Sequence, residues 1–450
     1  MVANDKQKSA YILVVGLGMT GLSVVRHLHQ ENENIVVVDS RSAPPGMDVM
    51  INEFPQVPVY CGEFDEAIFM GAAQIIVSPG VSLKENVVRH AVAQGVEVIG
   101  DVELFSRLNK VPVIAVTGSN GKSTVVSLLG EMAKKAGINV SVGGNIGVPV
   151  LDLIHLNSDL YILELSSFQL ESLQSLKPVA AAVLNVSPDH MDRYECYEEY
   201  VDAKKQIYRQ CQVAVINRDD SSVVKMQAGY SQVSGFTLGA PVQGDYGLRT
   251  FDNEQWLCKG GCKLIAEKSL KLSGKHNLAN ALAALALGEA AGIPSGDMLS
   301  TLRSFTGLAH RTQWVAEKNQ VSWINDSKGT NVGATVAAIN GLSVENKLIL
   351  IAGGLAKDAD FSALKDAVEK NTRTVVLIGK DAARIEQALQ ACVPVFYARD
   401  MQDAVQIAEN LSHPGDTVLL SPACASFDMF HGFEHRGEAF INAVEALSWT

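Results

Sequence analysis

At 450 residues, the chain is long enough for two to four domains of about 100–200 residues each. Its formal net charge of −12 argues against a nucleic-acid backbone as a partner for the surface as a whole, although a small anionic ligand needs only local donors. Residues 1–10 carry no apolar signal core, and no run approaches the roughly 20 apolar residues of a membrane span, so a cytoplasmic protein is expected.

The first segment reads YILVVGLGMTGLSVVRHL and then IVVVDS. A strand over 11–15 leads into Gly16, Gly18 and Gly21, a helix, and a second strand ending at Asp39. The acid follows the first glycine by about 20 residues, which fits the dinucleotide-binding fingerprint in context and spacing. That fingerprint specifies a diphosphate at a helix start and a carboxylate near a ribose hydroxyl, without specifying nicotinamide. Arg41 suits a further phosphate or a carboxylate. Close strand–helix packing with no ligand is the structural alternative. QIIVSPG and GVEVIGD add two more strands, so residues 1–100 read as a small doubly wound α/β unit.

The second segment, 101–306, opens on VPVIAVTGSNGKST. A short β-branched strand runs through a glycine turn into a helix N-terminus, which is a phosphate site. Lys122 can reach the outer phosphates and the Ser123 hydroxyl can ligate Mg²⁺. The spacing departs from the standard loop, because Val116 stands where a glycine belongs. VGGNIGVPV places Asn145 in a loop, and SDLYILE ends a strand at Glu164, where a second metal ligand is needed. A strand over 179–186 then leads into Asp189, His190, Asp192 and Arg193. The next helix carries Lys204 and Lys205, which residue chemistry alone leaves as solvated lysines. Residues 231–265 look like hairpins; Cys258 and Cys262 there lack the second pair of a zinc site, and the seven cysteines read as reduced thiols. SGKHNLANALAALALGEAAGIP is a helix with His276, Asn277 and Asn280 at its start, placed either to cap it or to touch a base or ribose.

The third segment, 307–450, begins with LAHR (308–311) and a hairpin ending in NDSKGTN. Three strand–turn–helix repeats follow, with Lys357 in the first turn and Ser426 and Phe427 in the last. That spacing means another parallel α/β domain. Its loops hold Asp326, Lys328, Lys357 and Arg436 at strand ends, and together these favour an anionic ligand.

A dinucleotide-type unit, a phosphate-loop unit and a basic loop-rich unit combine into one chemistry. A nucleotide-linked carboxylate held by the first is phosphorylated at the second, and an amine presented by the third attacks it. TGSNGKST, GGNIG, ELSSFQLE, LNVSPDHMDRY, SGKHNLANALAA, GLAHR, INDSKGTN and LLSPACASFDMF together resemble the Mur ligases of bacterial cell-wall synthesis, over nearly the whole chain. The shortened phosphate loop is that family's own form.

The resemblance implies an α/β fold of three domains: a Rossmann-like UDP-binding domain at 1–100, a P-loop ATP-binding domain with a parallel sheet at 101–306, and a Rossmann-like amino-acid-binding domain at 307–450. It lies closest to the D-glutamate-adding branch, which implies UDP-N-acetylmuramoyl-L-alanine and D-glutamate as substrates, ATP, two Mg²⁺ and a monomer. Gly118, Ser119, Asn120, Gly121, Lys122, Ser123 and Thr124 then hold ATP phosphates, with Lys122, His190, Lys204 and Lys328 catalytic. Ser123 and Glu164 hold one Mg²⁺, and His190 with a carbamylated Lys204 holds the other. Met19, Thr20, Asp39, Ser40, Arg41 and Gly80 match UDP contacts, while Asn145 and His190 match contacts to the rest of that substrate. Asn277, Asn280, Arg311, Asp326 and Lys328 match ATP contacts. Thr330, Lys357, Ser426, Phe427 and Phe433 match positions around D-glutamate. Three other readings stay open: another amide ligase of the family, an NAD-dependent dehydrogenase using the first fingerprint, and an ATP-regulated binding protein.

Overall fold

The computed structural model describes residues 11–191, 193–227, 229–230, 232–272, 274–342, 347–356 and 359–447. Three sheets organise them. The first has the strand order Val59–Cys61, Ile35–Asp39, Tyr11–Val15, Ala72–Val77, Glu97–Gly100, all parallel. The chain winds outward in one direction from Tyr11–Val15, then restarts on its other side at Ala72–Val77. The crevice at that switch point is where such sheets bind ligands, and Gly16 and Ser78 flank it from the two adjacent strand ends.

The second sheet places the phosphate-loop strand Val113–Thr117 between Leu160–Glu164 and Ala180–Val183. Every residue of Val113–Thr117 is buried, as expected for a parallel strand covered on both faces. Fully burying one such Val or Ile side chain stabilises by about 1.5–3 kcal/mol. Val116 pairs with Glu164, which brings that carboxylate level with the start of the loop. Val140–Gly144 closes one edge, and Val213–Asn217 and Val233–Phe236 extend the other in parallel. The hairpin expectation for 231–265 is corrected at its start. Val233–Phe236 belongs to the parallel sheet, and an antiparallel meander of Tyr246–Phe251, Glu254–Lys259 and Cys262–Ala266 continues from it.

The strand expected over 179–186 spans only Ala180–Val183. Beyond it the chain leaves the ladder to hold the phosphate loop: Leu184 N donates to Thr117 O at 2.9 Å, and Ser119 N donates to Asn185 O at 2.9 Å. The helix Lys275–Ala290, mostly Ala and Leu, lies buried against the helix Lys122–Lys135. Its small side chains permit that close approach.

The third sheet runs Gln313–Lys318, Val321–Asn325, Thr417–Leu420, Leu348–Gly353, Thr372–Ile378, Val395–Tyr397. The first pair is the expected antiparallel hairpin and the rest are parallel. Asn325 and Leu420 are register partners, so Asp326 and Ser421 emerge side by side at one sheet edge. Among the described residues, no helix is long and apolar enough to cross a membrane.

Candidate active site

The phosphate loop turns on Gly118 and Gly121, whose φ angles of 149° and 85° disfavour any side chain. A Cβ at Gly121 would also overlap the Asn280 side chain. Lys122 Nζ donates to the loop's own Gly118 O at 2.8 Å and Ser119 O at 3.0 Å. The expected phosphate amides need a correction. Ser119 N is held by Asn185 O at 2.9 Å and Asn120 N by Asn185 Oδ1 at 2.8 Å, so these two donors shape the loop. The donors left for an anion come from Gly121 onward, where the helix start leaves N–H groups without intrahelical partners.

Glu164 collects the neighbouring polar groups. Ser123 Oγ donates to its Oε2 at 2.6 Å and Asn145 Nδ2 to its Oε1 at 2.9 Å. Ser123 and Glu164 are each 3 % exposed. A hydroxyl beside a buried carboxylate is a hard-oxygen pair of the kind that holds Mg²⁺, so these two residues fit one such ion. Among the described residues no three His, Cys, Asp or Glu side chains converge as a metal cluster.

The solvated-lysine reading of Lys204 is overturned. The residue is 2 % exposed, its Nζ donates to Gly118 O at 3.1 Å, and it stands 4.5 Å from the Tyr200 ring centroid. Burial first, and then the nearby Lys122 charge, drive its pKa well below the usual lysine range. Lys205, by contrast, is exposed. Lys204 as an amine offers a metal no anionic oxygen, so His190 and unmodified Lys204 do not make a second metal set. His190 occupies a left-handed conformation, φ 57°, with its ring edge-on to Phe168 at 5.0 Å between centroids. Asp192 of the same cluster lies outside the described residues.

From the third unit, Arg311 Nη2 donates to Ser123 Oγ at 2.6 Å. Asp326 Oδ2 accepts from Ser421 Oγ at 2.8 Å and Oδ1 from Thr312 N at 3.0 Å; burial pushes its pKa up to about 6. Lys328 Nζ sits 3.7 Å from the Phe433 ring centroid. Burial, with Arg311 adding a like charge, brings its pKa down to about 8. Arg436 does not face a ligand: it is 1 % exposed, and its guanidinium donates to Ser327 O, Ser327 Oγ and Cys424 O. It pins two turns together because a buried guanidinium needs its donors filled.

Two cavities gather most of the expected residues. Asn120, Gly121, Thr124, Asn277, Asn280, Arg311, Asp326 and Lys328 line one of about 350 Å³ between the second and third units. Met19, Thr20, Asp39, Ser40, Arg41, Gly80 and Asn145 line another of about 520 Å³ between the first and second. Asp39 lines this cavity with its carboxylate already bonded inside the protein. Its carboxylate accepts from Leu17 N at 2.7 Å and from the Arg41 guanidinium at 2.8 and 2.6 Å. Burial alone would raise its pKa, but the Arg41 bonds bring it down to about 2. Arg41 is accordingly paired with Asp39.

The expected D-glutamate set is not gathered in either cavity. Ser426 is buried, Phe427 is 67 % exposed, Phe433 starts a helix beneath Lys328, Thr330 is half-buried, and Lys357 lies outside the described residues. Gln169 was missed by the sequence reading and lines the cavity of the first unit. It is the third helical position of a capping box with Ser166, a pattern visible in ELSSFQLE.

The fold and site define a class of enzyme built from a nucleotide-type crevice, a phosphate loop and a third unit whose Arg311, Asp326 and Lys328 line a cavity with that loop. The sequence matches the Mur ligase MurD-like N-terminal domain over residues 10–100, the Mur ligase middle domain over 116–288, and the Mur ligase glutamate ligase domain over 310–424. It is 51 % identical over 442 residues, 98 % of each chain, to the UDP-N-acetylmuramoylalanine–D-glutamate ligase of Nitrosococcus oceani. It is 48 % identical over 450 residues, the whole of each chain, to the ligase of the same name from Pseudomonas aeruginosa. In fold it is similar to a pseudomurein peptide ligase type C of Methanothermus fervidus, with a TM-score of 0.62 at 16 % identity, covering 98 % of this chain and 100 % of that one. The UDP-N-acetylmuramate–alanine ligase of Thermotoga maritima gives 0.59 at 17 %, covering 97 % and 99 %. The chain belongs to the Mur ligase family, and it is a ligase.

Proposed function

We propose that this ligase adds D-glutamate to UDP-N-acetylmuramoyl-L-alanine, driven by ATP, in the cytoplasmic synthesis of peptidoglycan precursors. The observation that carries the reading is the shared carboxylate of Glu164. Asn145, from the wall of the first cavity, and Ser123, from the phosphate loop, both donate to it. The crevice for a UDP-linked carboxylate and the site for a triphosphate therefore meet at one point. The domains are taken as 1–100, 101–306 and 307–450, with Met19, Thr20, Asp39, Ser40, Arg41, Gly80, Asn145 and Gln169 around the UDP-linked substrate and His190 on the loop that follows Ala180–Val183. Asn277, Asn280, Arg311, Asp326 and Lys328 surround ATP.

The substrate carboxylate attacks the γ-phosphorus of ATP, forming an acyl phosphate and releasing ADP. Lys122 and the amides from Gly121 onward compensate the charge that spreads over the phosphoryl oxygens. The amine of D-glutamate, once deprotonated, attacks the acyl carbon and displaces inorganic phosphate. Ser123 and Glu164 would hold Mg²⁺, which when bound neutralises phosphate charge. The third unit presents the amine through Thr330, Lys357, Ser426, Phe427 and Phe433, and closes to exclude water from the acyl phosphate. Burial and the nearby Lys122 charge push Lys204 toward the amine form that reaction with CO₂ needs, and carbamylation would turn it into an anionic oxygen donor.

The test supplies ATP, Mg²⁺ and UDP-N-acetylmuramoyl-L-alanine with a panel of amino acids and measures phosphate release. D-Glutamate is expected to stand far above the rest; equal rates with L-alanine or L-glutamate would overturn the assignment.

A further inference from the structure

Asn331 connects the third unit to two loops of the second. Its backbone carbonyl accepts from Thr335 N at 3.3 Å and its Oδ1 from Ala334 N at 2.8 Å, so it caps the helix Val332–Leu342. Its Nδ2 donates to Asn120 Oδ1 at 3.3 Å and to Asp189 Oδ2 at 3.2 Å. Both N–H donors of the amide are engaged across the boundary, and its oxygen serves its own helix. Asn120 belongs to the phosphate loop, and Asp189 directly precedes His190. The helix start comes close as well: a Cβ added at Gly333 would stand 2.9 Å from Ser187 Oγ. Ser187 is itself tied to the phosphate loop, its N and O both bonded to Ser119 Oγ.

We infer that Asn331 is a positioning residue that latches the third unit onto the phosphate loop and the His190 loop together. The inference rests on the ligase reading above. The two acceptors lie on loops that follow different strands, Val113–Thr117 and Ala180–Val183. Both bonds form only when both loops hold their site conformations, and closure over one misplaced loop would bury an unpaired donor. The helix cap is internal to the third unit, so the latch can release without melting the helix. An aspartate at this position would keep the cap but set a second carboxylate against Asp189.

The experiment uses N331S and N331D in the full chain. Serine keeps the capping oxygen but is too short to span both partners. Both variants should melt with the wild type and bind UDP-N-acetylmuramoyl-L-alanine within about twofold of it, while kcat falls about tenfold in N331S and further in N331D. Small-angle scattering should show compaction of the wild type on adding UDP-N-acetylmuramoyl-L-alanine and a non-hydrolysable ATP analogue, and its loss in both variants. D189N combined with N331D restores an amide–carboxylate pair and should recover part of the N331D loss in compaction, which a purely capping role would not. N331S turnover within about twofold of wild type, equal behaviour of the two variants, or a wild type that does not compact would each overturn the latch. A wild type that compacts but releases no phosphate with D-glutamate would sink the D-glutamate assignment, a failure separate from that of the latch.

Discussion

Arg311 Nη2 donates to Ser123 Oγ at 2.6 Å, joining residues 188 positions apart. The same hydroxyl donates to Glu164 Oε2 at 2.6 Å, so it lies between a cation from one unit and an anion from another. A half-buried guanidinium at the mouth of a phosphate loop suits planar, forked contact with phosphate. Arg311→Lys keeps the charge and loses the fork. Steady-state kinetics should show the KM for ATP rising about tenfold, with a much smaller change in the KM for the UDP-linked substrate.

Lys122 Nζ bonds to carbonyls of its own loop, so its removal acts on the loop and leaves the three sheets intact. Lys122→Ala should lower kcat by about a thousandfold or more while circular dichroism and melting temperature stay at wild-type values. Retained turnover would remove Lys122 from the chemistry.

Lys328 supplies a pH signature. Its pKa in the free protein is about 8, and a phosphate nearby favours the charged form, so binding raises it. Nucleotide binding near pH 8 should therefore take up about half a proton, and affinity should weaken as pH rises above that point. Calorimetry in buffers of different ionisation enthalpy measures the uptake. Lys328→Ala should abolish it; uptake that persists in this variant would assign it to another group.

Lys204 is the buried lysine beside the phosphate loop, its pKa lowered by burial, and Lys205 is its exposed neighbour. With ¹³C-bicarbonate, NMR should show one carbamate resonance that Lys204→Ala removes and Lys205→Ala leaves. A spectrum without that resonance would exclude the modification.

How much of this was legible in the sequence depended on the length scale of the interaction. Val113–Thr117 and Ile35–Asp39 were plain because apolar β-branched runs bounded by glycine are local signals. Glu164 was legible because a strand end beside a phosphate loop is a position that topology predicts. Lys204 was not legible from residue chemistry, since Tyr200 one turn earlier on the same helix does not bury it without the phosphate loop at Gly118, 86 positions away. The Asn185 bonds that take up the Ser119 and Asn120 amides, and the Asn331 bridge, cross between strands or units and leave no periodic trace. Arg436 misled for the same reason: a cation near a strand end reads as a ligand contact until its carbonyl partners are seen.

The bond between Asp39 and Arg41 has a consequence for what else the cell can place in the first crevice. A nicotinamide dinucleotide is gripped through an acid that accepts from its ribose hydroxyls. Here both oxygens of that acid are already engaged, by Leu17 N and by the Arg41 backbone and guanidinium. A ribose hydroxyl entering this crevice therefore meets an acid that Arg41 already holds, and has to compete with that guanidinium for it.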